Sequence, residues 1–172
     1  MPYKLVLLET ARKLAEQHDF DGQALREAIP YLEAFQGRKF VLKIGGSILQ
    51  DERLIPALVS DVVSLKRLDI DVILVHGGAS QLDRRMQAAG LEPSKLDGLR
   101  VTSREVLDLA NEVFLDISRV IRDAVAHRGY RGVIFDRASG LVRSRQKDAG
   151  LGYVGEPERV DASLLDQLPA ET

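Results

Sequence analysis

Cysteine and tryptophan are both absent from the 172 residues. Without cysteine there is no disulfide, no thiolate metal site and no cysteine nucleophile. Without tryptophan, and with aromatics at only 5%, little material remains for base-stacking platforms or carbohydrate shelves. An excess of either charge is missing too: 24 basic and 26 acidic residues give a formal charge of −2. They are mixed along the chain, so no basic stripe marks a nucleic-acid partner. No basic-then-apolar targeting segment opens the chain, and 45% hydrophobic with 29% charged residues is ordinary globular composition rather than that of a membrane or disordered chain. The expectation is a cytoplasmic protein whose ligands are held by backbone and charge, with neither nucleic acid nor membrane as partner.

The length suits one compact α/β domain. Apolar residues at helical spacing predict N-terminal helices over Tyr3 to Gln17 and Ala24 to Phe35, with a kink or restart at Pro30. Gly37 suits the second helix's C-terminal cap. Lys39 to Ile44 reads as a strand apolar on both faces, a kind found in the middle of a parallel sheet. A helix over Leu54 to Asp69 and a strand at Val72 to Val75 complete a βαβ unit with parallel strands. Further helices are predicted from Gln81 to Gly90 and from about Arg104 to His127. The second has the apolar stripe Val106, Leu109, Val113, Ile117, Val120, Ile121 and Ala124, with Thr102 or Ser103 as N-cap and Gly129 as stop. Gly132 to Phe135 reads as a third buried strand, Leu141 to Gly155 as a glycine-punctuated β excursion, and Ala162 to Leu168 as a short helix.

Parallel strands place Lys43-Ile44-Gly45-Gly46-Ser47 and His76-Gly77-Gly78 at one edge of the sheet, facing a common cleft. Glycine after a buried strand lets phosphate or carboxylate oxygens approach main-chain N–H groups. Lys43 would add positive charge where negative charge builds up during a group transfer. The same glycines also suit an ordinary strand-to-helix turn. Arg100 offers a bidentate fit to a carboxylate or phosphate, or a surface ion pair. His76 reads as a catalytic base or as a structural histidine held by backbone. The three histidines lack metal-ligand spacing, and no metal ligands are expected.

Four ordered stretches, "FVLKIGGSIL", "VILVHGGASQLDRRM", "LDGLRVTSREVLDLANEVF" and "GLGYVGEPERVD", together resemble the amino acid kinase family, most nearly its acetylglutamate kinase branch. The resemblance implies a three-layer α/β/α sandwich with a mainly parallel central sheet. It also implies ATP and Mg2+ as cofactors, and transfer of a phosphoryl group to the γ-carboxylate of N-acetyl-L-glutamate in arginine biosynthesis. Position by position, it assigns Lys43 to the transferring phosphoryl group and Gly45 and Gly46 to the ATP phosphates. Gly77, Gly78 and Arg100 fall to the small acidic acyl-amino-acid substrate, Arg100 at its α-carboxylate.

There are departures. Ala79-Ser80 replace a Gly-Pro, Ile44 to Ser47 stand where many acetylglutamate kinases read Tyr-Gly-Gly-Asn, and Asp97 replaces an asparagine. The first motif is also similar to kinases acting on isopentenyl phosphate or carrier-bound aminoadipate. The resemblance covers only the N-terminal, substrate-binding half, so residues 37–172 are expected to form that lobe, with the nucleotide lobe absent. Residues 1–36 are expected to form a helical extension that resembles those joining dimers into rings and packs either against a symmetry mate or over its own sheet. The expected protein is thus an incomplete kinase, a homo-oligomer or one whose partner supplies the missing lobe. The alternatives are a non-catalytic module binding acidic amino acids and the kinase-like part of an acetylglutamate synthase.

Overall fold

The computed structural model describes residues 22–45, 49 and 51–169, so the expected helix from Tyr3 to Gln17 lies outside the described residues. Helix α1, Gly22–Phe35, continues through Pro30 without a restart. Pro30 is exposed, so the carbonyl four residues earlier that loses its donor can turn to water. Gly37, at φ +71°, ends the helix as the glycine cap requires, and the ring of Phe35 meets that of Phe40 edge-on at 5.2 Å.

Strand β1, Lys39–Ile44, is followed by a 3-10 turn, Glu52–Leu54, and helix α2, Ile55–Arg67. Strand β2, Asp71–His76, then pairs with β1 in parallel, from Lys39 opposite Asp71 to Ile44 opposite His76. Asp69, at φ +62°, makes the sharp exit from α2, and its carbonyl accepts the Gly37 N–H at 2.7 Å. Ile55, Val59 and Val63 form the buried centre of α2. Among the described residues β1 has one sheet neighbour, β2, and its burial alternates instead of being complete on both faces. Helices cover the face of Leu42 and Ile44, whereas Val41 is 65% exposed on the other.

Helix α3, Ala79–Ala88, starts two residues earlier than its pattern predicts, directly from Gly78. A minimal hairpin follows, β3 (Lys95–Leu96) and β4 (Leu99–Arg100). Its two-residue turn has φ +50° at Asp97 and +79° at Gly98, the paired positive values of a type I′ turn. Asparagine and aspartate both tolerate that region, so Asp97 in place of asparagine leaves the turn intact.

Helix α4, Arg104–Ala126, is capped by Ser103, whose side-chain oxygen accepts the Val106 N–H at 3.2 Å. It borders all three core clusters. Val106, Ala110 and Val113 pack with Leu82 and Met86 of α3. Ile121 packs with Ile44 and Leu49, and Val125 with Ile55, Val59 and Val63. Val120, expected in this stripe, is 51% exposed.

The expected strand at Gly132 to Phe135 is not formed; residues 131–136 have no regular structure. They lie across a mostly apolar cavity of about 910 Å³ from β2, whose Val72, Leu74 and His76 also line it. An apolar run becomes a strand only where a ladder partner reaches its backbone. The β excursion is present as an antiparallel pair, β5 (Val142–Gln146) and β6 (Gly155–Val160), joined through a 3-10 turn at Ala149–Leu151. The last described helix, α5, is Ser163–Asp166, and its Asp166 carboxylate pairs with Lys39 at the start of β1. Among the described residues no helix is long and apolar enough to cross a membrane.

If α4 carries the core as described, Ile121→Ala should lower unfolding stability by roughly 2–4 kcal/mol, while the neighbouring Val120→Ala should stay within about 0.5 kcal/mol. Urea unfolding followed by circular dichroism checks the pair, and equal losses would contradict this packing.

Candidate functional site

The parallel register decides where the glycine loops begin. Ile44 and His76 are the last paired residues of β1 and β2, so Gly45 and Gly77 leave the sheet side by side, on strands about 4.8 Å apart. Gly45 and Gly77 are both exposed, whereas Gly46 lies outside the described residues. Lys43 is exposed on β1, opposite Val75, on the face away from Ile44. Among the described residues its ammonium has no side-chain partner.

Three polar contacts hold this edge among the described residues. The first-turn residue Gln81 of α3 donates its side-chain N–H to the Leu49 carbonyl at 2.9 Å, which ties the loop after β1 to the start of α3. His76 sets the second loop: its Nδ1 lies 3.1 Å from the Gly77 carbonyl oxygen and its Nε2 lies 2.7 Å from Ser118 Oγ on α4. A carbonyl only accepts, so Nδ1 carries the proton. In the neutral ring Nε2 is then the acceptor and the Ser118 hydroxyl donates. His76 is therefore a structural bridge from the loop to α4, the second of its two sequence readings.

The two glycines of this loop differ. A Cβ on Gly77 would meet nothing within 4 Å, but one on Gly78 would lie 2.8 Å from both Ile117 Cδ1 and Phe114 Cε1. The requirement at position 78 is close approach to α4; its φ of −170° suits any residue.

Arg100, at the end of β4, lies against α3. Its Nη1 donates to Met86 Sδ at 3.2 Å, and its Nη2 pairs with the Asp83 carboxylate. Residues 83 and 86 share one face of α3, so the guanidinium rests on the helix that begins at Gly78. Asp83 lies about 7–8 Å along the axis from Gly78. Arg100 is thus brought to the element that carries the second glycine loop. It does form an ion pair, with Asp83 as the partner, but its side chain is only 17% exposed, so the pair is not the surface one expected.

The hairpin bearing Arg100 is fixed by the last of the four stretches. Thr102 N–H donates to the Leu151 carbonyl at 3.0 Å, and the Tyr153 N–H donates to the Thr102 carbonyl at 2.8 Å. Gly152, at φ +67°, sits between them where any Cβ would collide with the Thr102 carbonyl oxygen. The Arg104 guanidinium lies 6.0 Å from the centre of the Tyr153 ring. Hydrogen bonding to Asp108, and then to Tyr153, holds its pKa above the usual arginine range.

Sequence reasoning did not single out Gln81, Asp83, Ser118 or Gly152. Only Asp83 carried a readable signal, its three-residue spacing from Met86 on a helix adjoining the Arg100 hairpin.

Residues 38–171 match the amino acid kinase family, and the chain belongs to it. Among similar curated proteins are two acetylglutamate kinases. That of Novosphingobium aromaticivorans is 31% identical, over 90% of this chain and 59% of the relative. That of Methanoculleus marisnigri is 35% identical, over 86% of this chain and 56% of the relative. The chain therefore spans a little over half the length of these two kinases. Among solved structures, N-acetylglutamate synthase from Neisseria gonorrhoeae, complexed with coenzyme A and N-acetylglutamate, superposes with a TM-score of 0.71 at 26% identity. The match covers 86% of this chain and 35% of that one. The fold is that of the amino acid kinase family, and the similarity runs to its acetylglutamate-handling members.

The two glycines of the His76 loop should separate in a stability assay. Gly78→Ala must displace Phe114 or Ile117 and should cost roughly 1–3 kcal/mol, whereas Gly77→Ala should fall within about 0.5 kcal/mol of the parent. Thermal unfolding of both variants tests the close approach of loop and helix; equal melting temperatures would refute it.

Proposed function

We propose that this chain is the substrate-binding part of an acetylglutamate kinase-type phosphotransferase, with residues 37–172 as the lobe and residues 1–36 as its N-terminal extension. The observation that supports the reading is that both glycine loops leave one sheet edge and that α3, which starts from the second loop, also carries the partners of Arg100. Gly45 and Gly77 leave paired strands together, and α3 links Gly78 to the Arg100 guanidinium. A small acidic acyl-amino acid, N-acetyl-L-glutamate, suits such a site. Arg100 takes its α-carboxylate as a planar fork, and N–H groups of the Gly77-Gly78 loop, at the positive end of α3, face the other end of the molecule.

Lys43 and Gly45 fit a phosphoryl group. An exposed lysine, without a side-chain partner among the described residues, lies two residues before an exposed glycine where the strand ends. Gly46 is the next residue in the sequence and is assigned to the same phosphates. When bound, ATP supplies the transferable phosphoryl group and Mg2+ offsets phosphate charge. On this chain the work is alignment: Arg100 and the second loop orient the acceptor carboxylate, and Lys43 counters charge at the transferring group. No side-chain nucleophile is required. A cytoplasmic location follows from this biosynthetic role, and further chain or a second subunit completes the nucleotide site.

A second reading is favoured by the likeness to the gonococcal synthase, which has also been solved with coenzyme A and L-arginine. In it the chain is a kinase-like module that binds an acidic acyl-amino acid, or an amino acid regulator, without transferring phosphate.

Isothermal calorimetry with N-acetyl-L-glutamate tests the common core of both readings. Saturable binding is expected, and Arg100→Ala should weaken it at least tenfold, about 1.4 kcal/mol. Absence of binding, or an unchanged Arg100→Ala variant, would remove the pocket assignment. Trapping of an acyl phosphate with hydroxylamine in the presence of Mg-ATP then separates the two readings, since only the kinase produces it.

A further inference from the structure

The polar environment of Arg100 extends beyond a carboxylate-binding arginine. Its side chain is 17% exposed, that of its partner Asp83 is 49% exposed, and a second nitrogen rests on the sulfur of fully buried Met86. An arginine at the end of a two-residue strand has little backbone to restrain it, and its long side chain loses rotamer freedom whenever it is fixed. Here two of its five N–H donors are already engaged by α3, which leaves three for a ligand.

We infer that Asp83 is a positioning residue: its carboxylate holds the Arg100 guanidinium against α3 so that the remaining donors are set for the carboxylate of an acidic ligand. The inference rests on the reading of Arg100 as a ligand-binding group. The geometry meets two needs at once. Before ligand arrives, a mostly buried guanidinium is not left unpaired. When ligand arrives, less side-chain freedom remains to be lost, because the ordering has been done in the folded protein. Asp83 also cancels the charge of Arg100, so the site attracts ligand by the direction of its donors more than by net charge. Met86 contributes a soft sulfur acceptor for one guanidinium N–H.

The test has one arm that uses ligand and one that does not. In the first, N-acetyl-L-glutamate is titrated calorimetrically into the parent, Asp83→Ala, Asp83→Asn and the double variant Asp83→Ala/Arg100→Ala. Asp83→Ala should weaken binding about tenfold. Asp83→Asn, which keeps an acceptor oxygen, should weaken it less, and the double variant should bind no worse than Arg100→Ala alone. Tighter binding by Asp83→Ala would overturn the inference, because Asp83 would then be a competitor for the guanidinium. Unchanged affinity in a folded variant would overturn it too.

In the second arm, the Arg100 Nε–H resonance is identified by its loss in Arg100→Lys and followed by nitrogen-15 NMR. A sharp, protected signal in the parent should broaden or vanish in Asp83→Ala. A signal that persists unchanged would overturn the inference whatever the ligand does. Loss of the signal in Asp83→Ala alongside a parent that does not bind N-acetyl-L-glutamate would support the positioning of Arg100 while refuting the proposed substrate.

Discussion

The apolar stripe of α4 is the constraint on which the rest of the structure depends. Its 23 residues extend about 35 Å, and along them it meets three clusters in turn: α3 near its start, the end of β1 near Ile121, and α2 near Val125. The start of α3, the exit of β1 and the crossover helix are therefore placed relative to one another by a single rod. The glycine edge inherits its geometry from this packing. Gly78 sits where Phe114 and Ile117 leave no room for a side chain, and His76 reaches the same helix through Ser118. Apolar burial sets the distance between loop and helix, and the few polar contacts set the orientation.

The sheet shows the opposite economy. Parallel strands are ordinarily covered on both faces. Here β1 and β2 are covered by helices on one face, with Val41 and Val75 exposed on the other. The edge of β2 borders an apolar cavity in place of a third strand. In the proposed function, the part of the related kinases' length that this chain does not span is what completes such a sheet.

Local signals in the sequence were read correctly where local physics decides. Ser103 caps α4 because a hydroxyl can reach an orphan N–H three residues on, and Gly37 and Gly129 stop helices at φ +71° and +82°. Strand β1 keeps its expected limits because its apolar run is short and flanked by Gly37 and Gly45. Signals failed where a distant partner decides. Gly132 to Phe135 has strand-like composition, but β2 and that segment face each other across the cavity. Val120 fits the helical stripe by spacing, yet it is 51% exposed. Of the candidate site, the glycine loops and Arg100 were legible as motifs. The contacts that orient them, through Gln81, Ser118, Asp83 and Gly152, depend on which elements meet, and a linear pattern does not encode that directly.

The two cations of the site illustrate why residue type and environment must agree. Arg100 is paired and mostly buried, which in the proposed function suits recognition of a planar carboxylate whose position is constant throughout a reaction. Lys43 is exposed and without a side-chain partner among the described residues, which suits a compact charge that must follow a group in transit. In the proposed function, exchanging the two residue types would defeat both roles. A lysine at position 100 has no fork to divide between Asp83, Met86 and a ligand, and an arginine at position 43 would trade a mobile point charge for a planar group needing a fixed partner. The arrangement is coherent as the acceptor-holding side of a phosphoryl-transfer site, in which charge is placed by the strand end and direction by α3.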